Sequence, residues 1–213
     1  MEKRSTEVSG KFTTPIWTGI IQNHEEVNKK LTNYINEIKT KNPEGLKKSN
    51  NLGWHSPEFD LNDKMIKEFF LNISPMIKEV ADDMAWDLKN NKIKISNCWS
   101  IINYKYASNA AHTHGNSLIS SAYYVQATKN CGNIVFDDPR PGAVMTRPKF
   151  TSLNKWNEGN IGIEPKNGLL VMFPSFLSHY VQPNMSDKER IMVSFNLNLL
   201  HNRYWGSDKK ELG

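Results

Sequence analysis

The spacing of hydrophobic positions changes near residue 92. Before that point the apolar residues recur at three and four. In HEEVNKKLTNYINEIKT (24–40), Val27, Leu31, Tyr34, Ile35 and Ile38 fall on one side of a helical wheel. The early glutamates suit the positive end of the helix dipole, so the pattern predicts an amphipathic helix. DLNDKMIKEFFLNISPMIKEVADDMAWDLK (60–89) carries two such stripes. Met65, Ile66, Phe69 and Phe70 line a first helix, and Met76, Ile77, Val80, Met84 and Leu88 a second. The division falls at Ser74-Pro75, where Ser can cap the second helix and Pro suits its first turn. Between these helical stretches, KNPEGLKKSNNLGWHS (41–56) reads as a loop, with Trp54 packed and His55 an ordinary loop histidine.

From about residue 93 the period becomes two. KIKISNCWSIINYKY, SLISSAYYVQA, CGNIVFDD, GIEP, GLLVMFPS and ERIMVSFNLNLL are strand candidates rich in Ile, Val, Phe and Tyr, punctuated by Asn, Gly and Pro. TPIWTGII (14–21) adds an edge strand ahead of the helices, and residues 1–14 read as a mobile start. No helix separates successive strands, which excludes a doubly wound α/β fold. The prediction is one domain over 1–213, with a mainly helical N-terminal elaboration (1–92) backing a β core (93–205). That core is a sandwich or partly closed barrel.

Composition narrows the class without naming a partner. Charged residues make up 23% of the 213 and hydrophobic ones 38%, the balance of a folded chain that dissolves in water. The formal net charge of +5 comes from scattered Lys and Arg with no basic-aromatic stripe, so nothing selects DNA or RNA. Cys98 and Cys131 are too few and too far apart for a disulfide framework or a four-thiolate zinc site. Free thiols, with no apolar signal core and no membrane-length apolar span, predict an intracellular, cytoplasmic protein, with a twofold homodimer as the default assembly.

Candidate chemistry sits in the β half. His112 and His114 form a His-x-His pair whose imidazoles leave an extended segment on the same side, at the edge of the following strand. His179, between FPSFLS and YVQPN, occupies another strand end and can supply a third nitrogen. Three imidazoles suit zinc, iron or other divalent transition metals, so spacing alone does not choose the ion. Arg190 opens the alternating RIMVSFNLNLL run, and its guanidinium can bind a carboxylate through two parallel hydrogen bonds. FDDPRPG places Asp137, Asp138 and Arg140 in a constrained turn, where they either orient a substrate or hold one another. Trp99 either lines the same cavity or packs in the core.

HTHGNSLISSAYYV, GNIVFDDPR, GLLVMFPSFLSHYVQPN and RIMVSFN, in this order, resemble the successive blocks of the 2-oxoglutarate and Fe(II)-dependent oxygenases, in particular a small bacterial and phage-associated group. The resemblance is strong over about residues 93–200 and weaker at TPIW and GWHS. It implies a double-stranded β-helix of jelly-roll, cupin-like form. It also implies that His112 and His179 hold Fe(II), with position 114 as the second member of the paired motif, and that Arg190 meets the distal carboxylate of 2-oxoglutarate. Tyr104, Ser120, Tyr123 and Asn196 are the candidates for further hydrogen bonds to that co-substrate. The implied activity is a dioxygenase that consumes dioxygen and 2-oxoglutarate and hydroxylates a small molecule or a protein side chain. Where the family usually has Asp or Glu as the second residue of the paired motif, this chain has His114. Either His114 completes a three-histidine site, or it stands behind a carboxylate such as Asp137. Two other classes fit the same residues: a cupin-like metalloenzyme that does not use 2-oxoglutarate, and a non-catalytic β-sandwich interaction module with structural histidines.

Overall fold

The computed structural model describes residues 6–145 and 147–201, and of the expected β core 202–205 lie outside the described residues, as do the first five residues of the expected mobile start. Along the chain the elements are β1 (Trp17–Ile20), α1 (His24–Lys41), β2 (Asn50–Asn51), β3 (Trp54–His55), α2 (Lys64–Asp83), β4 (Asn91–Asn103) and β5 (Ser108–His112). There follow β6 (Ile119–Gln126), β7 (Ile134–Asp137), α3 (Pro141–Met145), β8 (Asn160–Ile163), β9 (Leu169–Pro174), β10 (His179–Val181) and β11 (Arg190–His201). The strands form two sheets. One has the order β1-β9-β6-β11-β4-β3, the other β2-β5-β10-β7-β8. This is a mainly β two-sheet fold with N-terminal helices, of the jelly-roll kind. No strand pairing joins the two sheets among the described residues, so the partly closed barrel gives way to two open layers.

The larger sheet is buried on both faces, and the period of two decides which residue goes where. Cys98, Ile102, Tyr123, Val193, Phe195 and Leu197 face the helices, where Val27, Leu31 and Ile35 of α1 and Ile66, Phe69, Ile73 and Val80 of α2 cover them. Trp99, Ile101, Ala122, Tyr124, Val171, Phe173 and Met192 face the smaller sheet and meet Ile134, Phe136 and Val181. Phe69 is fully enclosed, with its ring 5.1 Å from Tyr123 and 6.2 Å from Phe195. The helix stripe and the odd-numbered residues of β11 thus solve each other's burial. Edge strand β1 pairs with β9 alone, Trp17 opposite Met172.

One element differs from expectation in an instructive way. Instead of two helices divided at Ser74-Pro75, α2 runs unbroken with Pro75 inside it. A proline there removes the N–H that would reach the carbonyl of Leu71. The Ser74 hydroxyl donates to that carbonyl at 2.8 Å and takes the place of the lost bond. The start is capped by Asp63, whose side chain accepts from the N–H groups of Met65 and Ile66. At the end, Ala85 turns left-handed with φ 49°, Trp86 N–H reaches Ala81 O, and Ala85 N–H reaches Asp82 O. That pair of bonds is a Schellman stop, so Met84 and Leu88 fall past the helix and are exposed. No helix among the described residues is long and apolar enough to cross a membrane.

Candidate metal centre

Strand pairing alone brings two of the histidines together. β5 and β10 are antiparallel neighbours in the smaller sheet, and His112 is the direct cross-strand partner of His179. The His-x-His pair therefore closes β5 rather than edging the following strand, which belongs to the other sheet. His114 lies just beyond β5, its N–H donating to Ser175 O at 2.9 Å, so the backbone stays extended alongside the neighbouring chain. The metal-ligating atoms of the three side chains all lie within 4.8 Å of one another.

The hydrogen bonds decide which nitrogen is offered. Nδ1 of His112 lies 2.7 Å from Ala110 O, that of His179 3.0 Å from Leu177 O, and that of His114 3.0 Å from Asn196 Oδ1. A carbonyl oxygen only accepts, so each Nδ1 carries the proton and each Nε2 keeps its lone pair. Nε2 of His114 is buried without a partner among the described residues. A buried nitrogen with a free lone pair fits a metal ion, and the other two histidines complete an all-imidazole donor set. Burial, followed by the neighbouring His112, lowers His114 to about 4 and His179 to about 3. Both are neutral at physiological pH, the form that ligates. The three nitrogens can thus hold a divalent transition ion on one face.

The histidines open on a cavity of about 560 Å³ between the sheets, lined also by Trp99, His55, Asn97, Ile134, Phe173, Val181, Met192, Ser194 and Asn196, with Lys48 and Glu58 at its rim. Trp99 stacks on His114 on one side, centroids 5.6 Å apart, and on His55 at 5.9 Å. Sequence reasoning made His55 an ordinary loop residue and Trp99 more a core residue than a lining one. Pairing of β3 with β4 sets His55 opposite Ile101, and this long-range step puts both rings on the wall.

Arg190 is wholly buried. Its Nη1 donates to the carbonyls of Cys131, Gly132 and Gln182, while Nε and Nη2 have no partner among the described residues. The Tyr124 hydroxyl is likewise buried and unpartnered among the described residues, and burial pushes its pKa up although the Arg190 charge pulls it down. Unpaired donors of this kind cost about 1–3 kcal/mol each unless a ligand satisfies them. Gln182, whose carbonyl accepts from Nη1, follows His179 by three residues, so the segment that carries this imidazole runs on to the guanidinium.

The remaining candidates divide by face. Asn196 lines the cavity and holds His114, and Ser120 donates to Asn196 Oδ1 at 2.8 Å, behind it. Tyr123 points to the helices, where its hydroxyl donates to Asn28 Oδ1 at 2.6 Å. Tyr104 packs on the same side beneath Lys39, whose Nζ is 4.8 Å from the ring. Neither tyrosine reaches the cavity. Asp137 accepts from Ser178 Oγ at 3.2 Å and lies outside the histidine group, lining a separate hollow. Asp138 and Arg140 hold each other in a two-toothed pair at 2.9 and 2.7 Å. Sequence reasoning missed Tyr124; the signal was its shared parity with Ser120.

Comparison with known proteins follows the same line. None of the curated proteins matches the chain. Solved structures align over most of it at low identity. A prolyl-4-hydroxylase of Pseudomonas putida is 12% identical, with 87% of this chain and 93% of that one covered at a TM-score of 0.59. HygX from Streptomyces hygroscopicus, with nickel and 2-oxoglutarate bound, is 9% identical, with 87% and 83% covered at 0.61. The viral collagen prolyl hydroxylase of Paramecium Bursaria Chlorella virus-1, as its 2-oxoglutarate complex, is 13% identical, with 85% and 94% covered at 0.57. At such identities the likeness is one of fold. Residues 97–196, which include all three histidines and Arg190, match the family described as "Putative 2OG-Fe(II) oxygenase", and the fold is 2-oxoglutarate/Fe(II) oxygenase-like.

Proposed function

We propose that this protein is an Fe(II)- and 2-oxoglutarate-dependent dioxygenase that hydroxylates a small molecule or a protein side chain. The observation that carries the reading is the pairing of two unsatisfied sets in one fold. One is an all-imidazole group with free Nε2 atoms; the other is a buried fork, Arg190 Nε and Nη2 with Tyr124 Oη. A metal ion answers the first and a carboxylate the second, and a dicarboxylate that chelates the ion answers both.

Bound iron and 2-oxoglutarate supply the oxidising chemistry, with dioxygen reduced and the co-substrate decarboxylated to succinate. The chain's own residues position and shield. His112 and His179 are each held by the backbone carbonyl two residues earlier, and His114 by Asn196 across the sheets. Arg190 and Tyr124 fix the far carboxylate in a region that excludes water, where charge-assisted bonds are strongest. Trp99, Phe173 and Met192 give the cavity a largely apolar wall. His114 serves as the third ligand in preference to Asp137, because Asp137 lies outside the group.

The test is succinate formation from 2-oxoglutarate under air, with Fe(II) and a broad substrate panel. Expected are dependence on iron and oxygen, and loss in His112→Ala and His179→Ala. An iron-loaded protein that never binds or consumes 2-oxoglutarate refutes the reading. A three-histidine metalloenzyme of another kind would then remain.

A further inference from the structure

The turn that opens GNIVFDD packs against the guanidinium from behind. Asn130 and Gly132 are both left-handed there, with φ 63° and 84°. The chain curls so that the carbonyls of Cys131 and Gly132 point at Arg190 Nη1, and Gln182 O closes the third side. A Cβ added at Gly132 would stand 2.9 Å from Nη1 and 2.7 Å from Pro183 O, and would also collide with Gln182 O. Glycine is thus required twice, by backbone conformation and by the close approach of Arg190.

We infer that Gly132 is a positioning residue for the co-substrate: the carbonyl cradle it permits locks Arg190 Nη1 and leaves only the Nε/Nη2 edge to grip a carboxylate. This rests on the function proposed above. Nη1 has two hydrogens and three acceptors around it, so it has none to spare for a ligand. The Nε–H and the adjoining Nη2–H are parallel and form the side-on fork that a carboxylate fits. A larger residue at 132 presses on the carbonyls of Gln182 and Pro183 and on Nη1 and swings that fork out of line, while the imidazoles keep their Nδ1 bonds to Ala110 O, Leu177 O and Asn196 Oδ1.

The experiment uses the full chain loaded with iron under anaerobic conditions, with 2-oxoglutarate titrated by calorimetry and its KM measured separately under air. Four proteins are compared: wild type, Gly132→Ala, Arg190→Lys and the double variant. Gly132→Ala is expected to weaken 2-oxoglutarate binding on the order of tenfold or more, with iron affinity unchanged and the loss in KM rather than kcat. In the Arg190→Lys background, with no Nη1 to displace, the same change is expected to cost no further affinity. Equal losses in both backgrounds mean that Gly132 merely shapes the turn and overturn the inference. So does unaltered binding by Gly132→Ala. An iron-loaded wild type that binds no 2-oxoglutarate overturns the proposed function instead, and this inference with it. Should Gly132→Ala fail to fold, arginine-selective ¹⁵N spectra of the wild type decide. 2-Oxoglutarate should shift Arg190 Nε and Nη2 while Nη1 stays in place and slow to exchange; a free or displaced Nη1 overturns the cradle.

Discussion

Replacing Tyr124 by Phe should stabilise the free protein while weakening its hold on 2-oxoglutarate. The opposite signs are the point. Tyr124 is fully buried and its hydroxyl has no partner among the described residues. Deleting an unsatisfied buried hydroxyl removes a desolvation penalty of about 1–3 kcal/mol while leaving the ring that packs between the sheets, so the free protein gains up to that amount. When a carboxylate lies between Tyr124 and Arg190, the same hydroxyl donates to a charged acceptor. Its loss then costs roughly 1.5–3 kcal/mol, or about 10- to 150-fold in affinity. Urea denaturation of the metal-free variant measures the first effect, and calorimetric titration of the iron-loaded variant under anaerobic conditions the second. A free protein that is clearly destabilised, or an unchanged affinity for 2-oxoglutarate, would refute the assignment of Tyr124 to the carboxylate site.

Other predictions use simpler readouts. His179→Ala should leave the fold intact yet abolish retention of one equivalent of Fe(II), measured by metal analysis after desalting; full retention would remove His179 from the centre. With burial lowering His179 to about 3 and His114 to about 4, the unfolded chain binds protons near pH 6.5 that the metal-free folded chain refuses. Stability is therefore fully present above about pH 6.5 and falls as pH drops toward 4, which urea midpoints in the presence of a chelator will follow; a flat profile would contradict the burial argument. Asp63→Ala removes the cap of α2 and should cost about 1 kcal/mol without changing metal retention. Phe69→Ala should cost roughly 3–5 kcal/mol, because the ring is enclosed between α2 and the larger sheet.

The period change near residue 92 was enough to read the helices, the long strands and the burial of one against the other. It was not enough for short strands. β5 reads SNAAH, with no β-branched residue and no Phe, Tyr or Trp, and is held in place by pairing with β10 and β2 rather than by propensity. Adjacent tyrosines show a second limit. Tyr123 and Tyr124 are equally apolar, and both faces of β6 are buried, so composition cannot say which one meets the helices and which the smaller sheet. Only parity, counted from Ser120 along the strand, separates them. Pro75 marks a third, since the serine that makes it tolerable inside a helix is also the residue that suggests a helix start. The grouping of the three histidines, whose nitrogens gather within 4.8 Å, could be read only once the ordered family-like blocks tied the His-x-His pair to His179, because spacing alone fits structural histidines as well.

His114 takes its orientation from Asn196 on the larger sheet, whereas His112 and His179 are held within the smaller one. The two layers share no strand among the described residues, so side-chain packing and the bond from His114 N–H to Ser175 O keep them at their spacing at this end of the sandwich. An ion seated on all three nitrogens becomes a rivet through both layers. Stripping it should then loosen the seam between the sheets before it loosens either sheet, with amide exchange rising first at the His114 end of the cavity and last in the paired middles of β4 and β11.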